Sequence, residues 1–216
     1  MSKEIIKNIE TFPLHYPEPH DSGKSRYITI VKITTNEGRV GWGECIAQFP
    51  EAAMATSTVI DTGLGEHIIG EDPTEVEHIW NLLRERNWWY GNGGIANFAV
   101  SAIDMAIWDL KGKIVNKPLY KLLGGYTNKM PVYVAGGYYE EGKGLQDLAQ
   151  EMEESLTLGA KAIKMKIGGV SINEDVERVE VVRKTVGPKI KIMVDANCCL
   201  LYTSPSPRDA TLSRMP

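Results

Sequence analysis

The feature that most restricts what this chain can fold into is a repeated grammar between residues 131 and 197. An apolar strand at Val132-Tyr133-Val134-Ala135 gives way to a helical stripe of Leu145, Leu148, Ala149, Met152 and Leu156, and a second strand runs from Ala162 to Ile167. The pattern then recurs. Ser171-Ile172-Asn173-Glu174 has capping-box spacing, Val176, Val179, Val182 and Val186 make another stripe, Gly187-Pro188 stops it, and Ile190 to Ala196 reads as a third strand. Strand starts lie roughly 30 residues apart, the length of a βαβ unit, so the expected product is a parallel sheet.

The first half follows different rules. Ile5, Ile9 and Phe12 begin a strand-like stretch, Tyr27 to Thr34 is β-branched, and Arg39 to Glu44 follows, with a hairpin signal at Asn36-Glu37-Gly38 between the last two. Tyr16 to Gly23 contains Pro17, Pro19 and Gly23 without periodicity and is expected to be a surface loop, a common place for specificity. After Pro50 the period turns helical. Ala99, Ile103, Ala106, Ile107, Leu110 and Ile114 mark one clear helix, punctuated by Pro118 and Gly124-Gly125. Strands followed by helices predict an α+β unit.

Chemistry is concentrated on the later strands. Side chains at i and i+2 share a strand face, so Lys164 and Lys166 point one way while Ile163, Met165 and Ile167 point the other. In a sheet covered by helices the apolar set faces the helices, which turns both lysines into a barrel interior or an open crevice. Burial and like charge would lower the pKa of at least one amine and fit it for general-base work. The alternative is an edge strand with both amines solvated. On the next strand Met193, Asp195 and Asn197 share a face, so Asp195 sits at the carboxyl end of a hydrophobic strand beside the lysines. Carboxylates there are commonly catalytic or metal-binding, with a simple ion pair as the alternative, and Mg²⁺ would require further oxygens.

Other signals are weaker. Trp88-Trp89-Tyr90-Gly91-Asn92-Gly93-Gly94 reads as a binding loop or as a turn between packed helices, and its glycines do not match a phosphate-binding fingerprint. His15 and His20, in or beside the early loop, are within reach of a ligand or simply solvated. Asp104 and Asp109 are expected to cap or pair with neighbouring helices. With 24 Lys and Arg against 28 Asp and Glu and no basic block, nucleic acid is not an expected partner. No stretch approaches the ~20 apolar residues of a membrane span, and none resembles a signal peptide. A cytoplasmic protein with reduced thiols is expected, since neither Cys45 nor the adjacent Cys198 and Cys199 suggest disulfide or zinc spacing.

Several motifs occur in a telling order: Gly41-Trp42-Gly43-Glu44, the run Ser101 to Lys113 (SAIDMAIWDLKGK), Leu122-Leu123-Gly124-Gly125, Lys164-Met165-Lys166 and Val194-Asp195-Ala196-Asn197. Together they resemble the enolase superfamily, and more narrowly its mandelate racemase and muconate lactonizing enzyme branch, over residues 4 to 197. The resemblance implies an α+β capping domain, residues 1–126, followed by the first part of a (β/α)8 (TIM-type) barrel, residues 127–197, truncated after about the third strand. It implies enzymes that abstract the proton α to a carboxylate of a hydroxy acid or sugar acid and hold the enediolate on Mg²⁺, by dehydration or racemisation. By position, Lys166 resembles the catalytic base, Lys164 the group that neutralises the substrate carboxylate, and Asp195 the first of the family's metal carboxylates. Asn197, His20 and Tyr138 are the implied substrate contacts, and Tyr16 to Gly23 corresponds to a mobile specificity loop. Gly136-Gly137-Tyr138-Tyr139 and Lys164 to Gly169 look most like acid-sugar dehydratases of the tartrate type. Cycloisomerases or epimerases of the branch, or a non-catalytic carboxylate-binding module, remain as alternatives. The expected partner is a small carboxylate substrate, with the parent protein a homo-oligomer.

A complete barrel takes about 250 residues. The stretch from Pro131 to Asn197 is far shorter, so the later metal ligands and second acid or base are missing from the match, and the chain as written is expected to be inactive. Residues 198–216, with Pro205 and Pro207 where a crossover helix is due, read as a non-native read-through tail.

Overall fold

Alternating β-branched residues and a short turn shape the start of the chain. In the computed structural model, which describes residues 3–18 and 23–197, β1 (Ile6–Pro17), β2 (Ser25–Thr35) and β3 (Val40–Ile46) form an antiparallel sheet in that order. The Asn36-Glu37-Gly38 turn closes β2 onto β3, with Gly38 at φ +80° and its N–H donated to Thr35 O. The expected loop is shorter than the sequence suggested. Tyr16 and Pro17 pair with Arg26 and Ser25, because β1 is an edge strand and the N–H that proline lacks is not needed there. His15 is likewise a strand residue, opposite Tyr27.

Helices then pack on one face of this sheet: α1 (Pro50–Val59), continued by a π-turn at Ile60–Leu64 and a 3₁₀ turn at Glu66–Ile68, α2 (Val76–Arg86), α3 (Gly94–Ile114) and the single turn α4 (Leu119–Leu122). The stripe on α3 is buried against Val31, Ile33, Ile79 and Leu83. Glycines set how closely α3 approaches β3: a methyl on Gly43 would lie 2.0 Å from the Ala102 carbonyl oxygen, and one on Gly41 2.2 Å from that of Ala106. Asp109 fixes the same contact by accepting the Trp42 backbone N–H at 2.8 Å and the Lys113 amine at 2.6 Å. Residues up to Lys129, apart from 19–23, form one compact unit.

The second unit is built on the βα repeat. β4 (Val134–Gly136), β5 (Ala162–Lys166) and β6 (Lys191–Asp195) form a parallel sheet in that order, joined by α5 (Leu145–Thr157) and α6 (Ile172–Val186). The Ser171 capping box is present, with Glu174 N–H donated to Ser171 Oγ and Ser171 N–H to Glu174 Oε2, and Gly187 ends α6 at φ +73°. Ile163 and Met165 are fully buried with Leu148, Met152 and Val182, so the apolar face of β5 meets the helices. Among the described residues β4 and β6 are open edges, and Ile172, Val176, Val179 and Val194 line an apolar groove of about 520 Å³. No helix among the described residues is long and apolar enough to cross a membrane.

Candidate active site

With Ile163 and Met165 committed to the helices, the pleat sends Lys164 and Lys166 to the opposite face of the central strand, and the parallel register sets Lys166 opposite Asp195. The three groups converge on one oxygen. Asp195 Oδ2 lies 2.8 Å from Lys166 Nζ and 3.0 Å from Lys164 Nζ, while Oδ1 accepts the Asn197 backbone N–H at 2.9 Å. Lys166 also donates to Asn197 Oδ1, and Asn197 reaches this position with φ +50°. The Lys164 side chain is 25% exposed, that of Lys166 13% and that of Asp195 27%, so the cluster is partly shielded and still reachable from solvent. The solvated-edge alternative fails because β5 is central, whereas the ion-pair alternative describes the arrangement correctly.

Aromatic rings flank both amines. Lys164 Nζ lies 5.1 Å from the centre of the Tyr133 ring, and Lys166 Nζ 5.6 Å from that of Tyr138. Tyr138 thus joins the cluster that sequence reasoning assembled from Lys164, Lys166, Asp195 and Asn197. His20 lies outside the described residues.

The Lys164 amine is pushed above the ordinary lysine value, first by its contact with Asp195, so Lys164 is not the amine of the pair whose pKa is lowered. The carboxylate that binds both ammonium groups offsets their mutual repulsion. Asp195 responds in kind: the Lys166 amine, then the Asn197 N–H and Lys164, hold its carboxyl well below the usual carboxylate range.

A magnesium ion prefers near-octahedral oxygen coordination. The cluster offers one carboxylate, both of whose oxygens are engaged, and one amide oxygen. By the chemistry of its donors, the set among the described residues does not suffice for the ion.

Two groups went unnoticed in the sequence. Glu151 on α5 and Arg178 on α6 are buried, and both hold the backbone of Gly137, next to Tyr138. Their positions in amphipathic helices gave no warning, since isolated charges there usually point to solvent; the Gly136-Gly137 pair was the only local signal. Asp109 pairs as expected, but Asp104 lies half-buried beside Glu77, and burial, then that like charge, push its carboxyl up. Trp88 to Gly93 joins α2 to α3 as a turn, with Trp88 and Trp89 exposed.

A parallel βαβαβ sheet with amines and a carboxylate at its carboxyl end follows, in sequence, an antiparallel α+β unit. The chain belongs to the mandelate racemase / muconate lactonizing enzyme family, whose N-terminal domain matches residues 9–124; the enolase C-terminal domain-like family matches residues 147–210. The fold is therefore that family's capping domain followed by a partial, barrel-like parallel sheet. The second match runs past Asn197 into residues 198–216, which lie outside the described residues.

The relatives differ in reaction. Arabinonate dehydratase of Saccharolobus solfataricus is 37% identical over 89% of this chain and 54% of its own length, and 3,6-anhydro-alpha-L-galactonate cycloisomerase of Streptomyces coelicolor is 39% identical over 79% of this chain and 46% of its own. The crystal structure of a racemase from Streptomyces coelicolor with bound magnesium superposes with a TM-score of 0.82 at 33% identity, covering 92% of this chain and 57% of that one. The chain spans about half the length of these relatives.

Proposed function

We propose that the parent protein abstracts the proton α to the carboxylate of a sugar acid or 2-hydroxy acid, with Lys166 as base. The observation that carries this reading is the convergence of Lys164 and Lys166 on Asp195 at the carboxyl end of the central strand. Lys164, held protonated, is suited to neutralise the substrate carboxylate. Lys166 cannot take a proton while it serves as a paired ammonium, so catalysis requires that Asp195 be drawn away from it. Two amines then face each other without their counter-ion, and like-charge repulsion favours the neutral form of one. Asn197 and Tyr138 line the same space and are proposed substrate contacts.

Asp195 is proposed as one ligand of Mg²⁺, with the remaining oxygens supplied from outside residues 3–197; when bound, such an ion supplies positive charge that stabilises a developing enolate. The 216-residue chain, which lacks that donor set among its described residues, is proposed to be inactive. Dehydration is the preferred outcome, supported by the dehydratase relative and by the Gly136 to Tyr139 motif. The cycloisomerase relative supports the second reading, in which proton abstraction proceeds without loss of water.

The test uses a chain extended to its relatives' length, Mg²⁺ and a panel of sugar acids in deuterated water. Exchange of the substrate α-proton is expected, with Lys166→Ala slowing it by about 10²–10⁴. No exchange across the panel, or exchange that Lys166→Ala leaves untouched, refutes the assignment.

A further inference from the structure

Burying a carboxylate and a guanidinium in a helix-sheet layer is costly, and aliphatic side chains of similar volume often serve stability as well or better. Glu151 and Arg178 are nevertheless both buried, at 8% and 7% exposure. They hold the two backbone polar groups of a single residue. The Gly137 N–H donates to Glu151 Oε1 at 2.9 Å, and Arg178 Nη2 donates to the Gly137 carbonyl at 2.7 Å. Gly137 turns the chain at φ +63° as it leaves β4, and a methyl on its neighbour Gly136 would lie 2.2 Å from Glu151 Oε1 and displace that carboxylate.

The far side of Tyr138 is held as firmly. The Tyr139 ring lies 4.3 Å from the Arg178 guanidinium carbon, and its hydroxyl donates to Asp175 Oδ1 at 2.5 Å. Asp175 Oδ2 in turn accepts the Gly168 N–H at 2.6 Å, so the same helix that holds the turn after β4 also holds the one after β5. Tyr138 stands between two anchored residues, with its ring against the Lys166 amine.

We infer that Glu151 and Arg178 are positioning residues: by clamping the Gly137 backbone from α5 and α6, they fix the Tyr138 ring over Lys166. This rests on the proposed role of Lys166 only for its catalytic meaning, because the geometry itself is measurable without turnover. Glu151 Oε2 also pairs with Lys143 Nζ at 2.8 Å, so one carboxylate oxygen meets an ammonium while the other accepts from Gly137, and Arg178 supplies the donor on the opposite side.

The experiment uses the full 216-residue chain with its lysines ¹³C-methylated, a change that keeps their charge, and reads the methyl resonance assigned to Lys166 by its loss in Lys166→Arg. The Tyr138 ring is expected to displace that resonance from the position of a free lysine, and Tyr138→Leu to return it there. Glu151→Ala and Arg178→Met are each expected to move it to the Tyr138→Leu position. An unmoved Lys166 resonance in a folded Glu151→Ala or Arg178→Met chain overturns the inference. Should those variants fail to fold, the wild-type protein decides: the Gly137 amide is expected to exchange with solvent at least tenfold more slowly than the Gly142 amide, and equal rates overturn the clamp. If α-proton exchange fails while this pattern stands, the base assignment falls and the clamp survives.

Discussion

Asp195 is the residue on which the local electrostatics turn. Its folded pKa is depressed, so its contribution to stability is present above the unfolded value near 3.9 and is lost as pH falls below that toward the folded value. Urea denaturation at pH 6 and pH 3 is therefore expected to show a smaller acid-induced loss in Asp195→Asn than in wild type; equal losses would mean that the carboxylate gains nothing from its lysines. The raised Lys164 pKa acts at the other end of the scale, with stability present below the unfolded lysine value near 10.4 and lost as pH rises through the folded one. The i, i+2 alternation placed Lys164 and Lys166 on one face, and the strand-end position of Asp195 put it beside them. The protonation of Lys164 could not be read that way, because it depends on a distance of 3.0 Å across two strands. Glu151 and Arg178 were illegible for a related reason: a charge on a helix has one sequence pattern whether it meets water or a backbone carbonyl.

At the scale of elements, local signals marked the units well and their ends less well. The Ser171 box and Gly187 bound α6 where the sequence placed them, and Ser171→Ala is expected to cost about 0.5–2 kcal/mol in urea denaturation. A loss below 0.2 kcal/mol would show that the cap is replaced by solvent. The α3 stripe was read from Ala99, but the helix begins at Gly94 and already buries Ala96 in its first turn. β1 runs on through Tyr16 and Pro17 because an edge strand tolerates proline, a condition set by sheet order and invisible in composition. The Gly41-Trp42-Gly43 motif has its physical basis in the contact of β3 with α3. Gly43→Ala is expected to destabilise the first unit by about 1–3 kcal/mol, read by tryptophan fluorescence, as a methyl group is forced against the Ala102 carbonyl. A neutral Gly43→Ala would show that helix and strand can separate freely.

For the molecule as a whole, the order of strands, helices and βα repeats disclosed both units, and the motif order disclosed the family, since both depend on periodicity and sequence position more than on side-chain distances. The donor set at Asp195 predicts that, when Mg²⁺ is titrated into the 216-residue chain, Asp195→Asn removes no saturable binding below millimolar concentration; a micromolar site that disappears in Asp195→Asn would show that the further oxygens are already present. In the second unit two amines share one carboxylate. The titration of the Asp195 carboxyl carbon, followed by NMR in the intact chain, tests this most directly. The account predicts a midpoint well below 3.9 in wild type that rises toward it in Lys166→Ala. A wild-type midpoint near 3.9, unmoved when Lys166 or Lys164 is removed, would contradict it.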